Sequence, residues 1–79
     1  MTEANIPLRY SMVIQWSEED DAFLVTLPEW EGRVFNPVTH GETYEEAVAN
    51  GRLALEDLVI VARQNGEQLP KPQFLEVAA

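Results

Sequence analysis

No cysteine occurs in this chain of 79 residues, and there is only one histidine, His40. Disulfide staples, cysteine metal sites and a histidine-rich metal cluster are therefore excluded. Basic residues are also scarce, five against fourteen acids, for a formal net charge of −9. Binding to phosphate needs a basic face, so direct contact with nucleic acid is not expected. No apolar run approaches the length of a membrane span. The opening residues, Met1-Thr2-Glu3-Ala4-Asn5, show neither the basic nor the apolar region of a signal peptide, so the expected compartment is the cytoplasm. No cofactor motif is found. Internal repeats and low-complexity segments are lacking as well.

What remains is enough for one small domain. A chain of this length buries only about 60% of its unfolded surface, so the core is thin. Without staples, such a core often gains stability by self-association.

The most informative stretch is Gly41-Glu42-Thr43-Tyr44-Glu45-Glu46-Ala47. Thr43 followed three residues later by Glu46 is a capping box, and Glu42, Glu45 and Glu46 sit where a helix dipole is positive. Tyr44, Ala47, Val48, Gly51, Ala54, Leu55, Leu58 and Ala62 then fall on one helical face. Gly66 after Asn65 is a natural C′ residue, and Pro70 forbids continuation. The expected helix spans 43–65. Leu53, Val59, Ile60 and Val61 lie off that face. They read either as an oligomer interface or as a helix buried more widely than one stripe. The interface reading predicts a homo-oligomer.

Ahead of the helix, residues 1–7 read as a tail ending at Pro7. Over 8–16, Leu8, Tyr10, Met12, Ile14 and Trp16 alternate with Arg9, Ser11, Val13 and Gln15, the period of a strand with one core face. After the polar turn Ser17-Glu18-Glu19-Asp20-Asp21, a second strand over 22–27 places Phe23, Val25 and Leu27 on one face. The two runs make a hairpin, and Pro28 ends the second strand or puts it at an edge. A loop follows, Glu29-Trp30-Glu31-Gly32. Over 33–40, Val34, Phe35 and Val38 call for burial while Asn36-Pro37 interrupts them, which predicts a broken third strand. After the helix, 73–77 is a candidate short fourth strand. The predicted class is α+β: a three-stranded antiparallel meander, one long helix on one face, and a last strand brought by a right-handed crossover beside the first.

Several of these segments, in order and spacing, resemble the HicB-type antitoxin domain. They are the strand around Tyr10, the acidic turn, Phe23-Leu24-Val25-Thr26-Leu27-Pro28, Thr39-His40-Gly41-Glu42-Thr43-Tyr44-Glu45-Glu46-Ala47, and Gly66-Glu67-Gln68-Leu69-Pro70-Lys71-Pro72. The resemblance covers about residues 8–75. It implies a partial ribonuclease-H-like fold and a toxin–antitoxin role, in which the domain occludes a small basic HicA-like ribonuclease. Many members carry a C-terminal DNA-binding segment. No recognition helix is found here, so the expectation is a single HicB-like domain over 1–79 without DNA binding.

On this reading the candidate toxin-binding residues are Glu18, Glu19, Asp20, Asp21, Glu29 and Trp30. The acidic turn reads alternatively as a solvated hairpin turn, and Trp30 as cover for a thin core. Trp16 is expected in the core. The turn lacks the alternating oxygen ligands and central glycine of an EF-hand. A ribonuclease-H-like nuclease needs carboxylates converging on two metal ions, and residues 8–16 contain no Asp or Glu. His40 has no Ser or Cys nucleophile motif beside it and reads as a turn or strand-end residue. Catalysis is therefore not expected, and two functions stand: the antitoxin, or a stand-alone oligomeric binding or regulatory module.

Overall fold

The computed structural model describes residues 9–75. Strand β1 (Val13–Ser17) pairs antiparallel with β2 (Ala22–Thr26), and β2 pairs antiparallel with β3 (Thr39–Gly41). Helix α1 (Tyr44–Gln64) lies across one face of this sheet, whose order is β1-β2-β3. The class is α+β, with the β-β-β-α layout read from the sequence.

The register Ile14↔Val25 and Trp16↔Phe23 puts these side chains on the side that faces the helix. Val25 and Leu27 are fully buried there, in a core shared with Trp30, Ala47, Leu55 and Val59. The first strand is shorter than its alternation suggests. The Ser11 N–H is turned to the Glu29 carboxylate, so the ladder begins at Val13, although Tyr10 and Met12 still pack on the core. Trp16 is not in the core. It has the expected parity but stands at the outer edge of the sheet, 45% exposed, with its ring edge-on to Phe23.

Pro28 ends β2 as expected, opening a 3-10 turn over Pro28–Trp30. The third strand is shorter than predicted: only Thr39–Gly41 pairs with β2, residues 33–38 form no strand, and the Asn36–Pro37 peptide is cis. Asn36 takes the place of a strand partner for Leu27, whose N–H donates to its Oδ1 at 3.0 Å and whose carbonyl accepts from its Nδ2 at 3.3 Å. With Asn36 turned inward, neighbouring Phe35 points out and is 96% exposed, contrary to its apolar character.

The helix ends are where the sequence puts them. The Thr43 hydroxyl accepts from the Glu46 N–H at 3.0 Å, while the Glu46 carboxylate reaches the N–H of Glu42 rather than that of Thr43. At the other end Gly66 is left-handed (φ 71°). Its N–H donates to Arg63 and that of Glu67 to Ala62, the paired bonds of a Schellman motif.

The buried helical row is Ala47, Gly51, Leu55, Val59 and Ala62. Steps of four residues drift by about 40° around the axis, so this row winds around the helix as a ridge crossing the sheet obliquely. A straight stripe therefore misplaces three residues. Val59 is 1% exposed and belongs to the core, whereas Tyr44 and Val48 are open to solvent.

No fourth strand forms over residues 73–75; Glu76 and Val77, which complete that prediction, lie outside the described residues, as does the tail 1–7. Side chains hold this segment instead. Tyr10 Oη donates to the Pro70 carbonyl at 2.7 Å, Arg33 Nη1 to the Gln68 carbonyl at 2.7 Å, and Gln73 N–H to Glu29 at 2.9 Å. Phe74 and Leu75 are exposed.

Candidate functional site

The acidic turn after β1 is built locally. The Ser17 hydroxyl accepts from the Asp20 N–H at 3.2 Å and donates to Asp20 Oδ2 at 3.0 Å, closing the turn. Asp21 adopts φ 54°, a left-handed conformation that aspartate tolerates better than most residues. The Trp16 indole donates to Glu18 Oε2 at 3.0 Å, which holds Glu18 against the ring. Glu18, Glu19, Asp20 and Asp21 are all exposed.

Tertiary pairing brings a second acidic group beside this turn. Because Phe23 faces Gly41 across β2 and β3, the chain leaving β3 enters α1 close to the start of β2. Asp20 and Asp21 thereby share an open depression of about 390 Å³ with His40, Glu42, Glu46 and Asn50. Asn50 Nδ2 donates to the His40 carbonyl at 2.7 Å, tying the first turns of the helix to β3. Glu42 and Glu46 were legible in the sequence only as helix-start acids; their place beside the turn follows from strand register. Carboxylates from two segments thus line one concavity, which favours cationic side chains. Among the described residues no group of three or more His, Asp or Glu side chains is arranged to hold a metal ion.

Glu29 and Trp30 do not join this face. Both are buried, because the 3-10 turn folds beneath Tyr10 and Arg33. Trp30 is 3% exposed, with Tyr10 edge-on at 5.5 Å between centroids and the Arg33 guanidinium 5.8 Å from its ring centre. Its indole N–H has no acceptor among the described residues. The Glu29 carboxylate accepts from Ser11 N–H, Ser11 Oγ and Gln73 N–H. Burial alone would raise its pKa; the hydrogen bonds from Gln73 and Ser11 outweigh that and hold the carboxyl below its usual range. Burial raises the Tyr10 phenol, and the nearby Glu29 charge adds to the effect. Glu29 is thus a structural clasp and Trp30 a core residue, and neither is placed to meet a toxin.

The helix patch is also revised. Val59 is in the core and Ile60 is half-buried, so Leu53 and Val61 remain as its exposed members. They lie about 80° apart around the helix by helical geometry. A more continuous apolar row runs elsewhere. Trp16 packs edge-on to Phe23 (5.0 Å between centroids), and Phe23 stacks on Tyr44 (4.3 Å), with Val48 one turn further along α1.

Comparison with protein-family models, with characterised proteins and with solved structures finds no match to this chain. Among the described residues no helix is long and apolar enough to cross a membrane.

Proposed function

We propose that this protein is a HicB-like, antitoxin-type interaction protein that binds a small basic HicA-like ribonuclease and blocks it by occlusion. The observation that carries this reading is the convergence of Asp20 and Asp21 with Glu42 and Glu46 around one open depression. Exposed Glu18 and Glu19 extend the same acidic turn, in a chain of net charge −9. Such a face attracts a protein whose own function requires positive charge for RNA. Covering that charge excludes the substrate, with no chemistry required of the antitoxin. Steering between opposite charges speeds capture and weakens as salt rises. The ordered resemblance of the sequence to HicB domains supplies the class of partner.

The test is a small basic protein encoded beside this chain's reading frame. The two proteins should co-purify at low salt, and RNA cleavage by the basic protein should stop on addition of this chain. Asp20→Lys combined with Glu42→Lys should weaken binding at least tenfold, about 1.4 kcal/mol, while the circular dichroism spectrum stays unchanged. Unimpaired binding by the double variant would move the contact off this face. A second reading, a stand-alone oligomeric binding or regulatory module, is favoured by the exposed row of Trp16, Tyr44 and Val48. The absence of any basic neighbouring product that binds would select it.

A further inference from the structure

Among the described residues, strand β1 is bonded to a neighbour on one side only. Natural edge strands are normally guarded by charged residues, proline, a bulge or a covering segment. β1 has none of the first three. It reads Val-Ile-Gln-Trp-Ser, and its register with β2 is unbroken from Val13↔Thr26 to Ser17↔Ala22. No described segment pairs with its outer side. The opposite edge differs: β3 is three residues long, and its Gly41 lies directly against the helix backbone at Ala47. Part of the exposed apolar surface lies on the unguarded side, at Val13 and Trp16 on the strand and at Tyr44 and Val48 beyond Phe23; Phe35, Leu53, Val61, Phe74 and Leu75 are exposed elsewhere.

We infer that β1 pairs antiparallel with β1 of a second copy of this chain across a two-fold axis, giving one continuous sheet with both helices on the same face. The pleat limits the register. Residues facing each other across antiparallel strands must project to the same side, so the axis passes through a residue pair. Centring it on Gln15 pairs the whole strand: Val13 with Ser17, Ile14 with Trp16, and Gln15 with its own copy. Trp16 of each protomer then covers Ile14 of the other on the helix side.

Charge selects the antiparallel sense. Arg9 precedes the strand, and the carboxylates of Glu18, Glu19, Asp20 and Asp21 follow it. Antiparallel pairing sets the Arg9 end of each copy beside the acidic turn of the other, whereas parallel pairing would place two acidic turns together in a chain of net charge −9. The contact is isologous and closes on itself, so assembly stops at the dimer. This pairing is independent of the toxin reading and involves an edge, not the acidic depression.

The test uses the full chain. Light scattering at about 100 µM, above common dimer dissociation constants, should find a dimer. Trp16→Lys with Val13→Lys should give a folded monomer by circular dichroism and scattering. Gln15→Cys supplies a readout that does not depend on that variant folding. Facing Cα atoms in such a pair are about 4.5–5.5 Å apart, within disulfide reach. Under mild oxidation Gln15→Cys should therefore cross-link roughly tenfold faster than Leu53→Cys, a solvent-exposed control on α1, because pairing raises the effective thiol concentration. A monomeric wild type, or equal cross-linking of the two cysteine variants, overturns the inference. A dimer that survives both lysine substitutions overturns it too.

Discussion

Glu29 grips Ser11 twice, accepting its backbone N–H at 3.0 Å on one carboxylate oxygen and its hydroxyl at 3.0 Å on the other. The second oxygen also accepts the Gln73 N–H at 2.9 Å. One buried carboxylate therefore fastens the chain on both sides of the fold, the segment entering β1 and the segment after α1, where neither has a strand ladder to satisfy its backbone.

Replacing this group should cost more than a typical polar substitution. Glu29→Ala leaves the Ser11 and Gln73 donors without their acceptor and should destabilise by roughly 2 kcal/mol in chemical denaturation. The pH dependence has a definite sign. The carboxyl of Glu29 is lowered in the folded state, so its contribution is full above the unfolded value of about 4.3 and is lost as pH falls through the folded value. Stability of the wild type should drop below about pH 4 more steeply than that of Glu29→Gln. Parallel pH profiles would show that the clasp does not depend on the ionised form.

The N-terminal cap of α1 rests on a single hydroxyl. Thr43→Ala removes the acceptor for the Glu46 N–H and should cost about 1 kcal/mol. Thr43→Ser should recover most of that loss, since serine caps at least as well. Superimposable thermal melts of wild type and Thr43→Ala would refute the capping role.

Two valines two positions apart on α1 test the oblique packing of the helix. Val59 is 1% exposed and Val61 51%. Val59→Ala should destabilise by roughly 2 kcal/mol, from two lost methyl groups and the space they leave. Val61→Ala should stay within about 0.5 kcal/mol, with the better helix propensity of alanine acting in its favour. Equal effects in denaturant titrations would place both valines in the same environment and contradict the structure.

Two glycines meet α1 packing differently. A β-carbon at Gly41 would run into the backbone of Ala47 and Glu46, whereas one at Gly51 would meet side chains, the flexible Met12 first and then buried Val25. Gly41→Ala should therefore cost about 1–3 kcal/mol as an overpacked site. Gly51→Ala should cost less than Gly41→Ala, because the roughly 1 kcal/mol that alanine gains over glycine in a helix offsets part of the displacement of Met12 and the close approach to Val25. The opposite order in measured stability would mean that β3 moves away from the helix more readily than Met12 yields.

Features governed by short-range physics were legible in the residues themselves. The Thr43–Glu46 cap, the Gly66 stop, the hairpin around the acidic turn and the inward set Phe23, Val25 and Leu27 each depend on neighbours within a few positions, where hydrogen-bond reach and strand or helix period decide the outcome. Tertiary structure alone decided the rest. A helix crossing a sheet obliquely buries a winding ridge, so Val59 enters the core and Tyr44 and Val48 leave it. Glu29 and Trp30 look like loop residues until Tyr10 and the segment after α1 close over them, and Trp16 has core parity but no layer above it. Strand register, which joins residues about twenty positions apart, set Glu42 and Glu46 beside Asp20 and Asp21. Sequence period reports which face a side chain takes, but burial depends on whether another element covers that face, and such cover comes from chain too distant for any local pattern to encode.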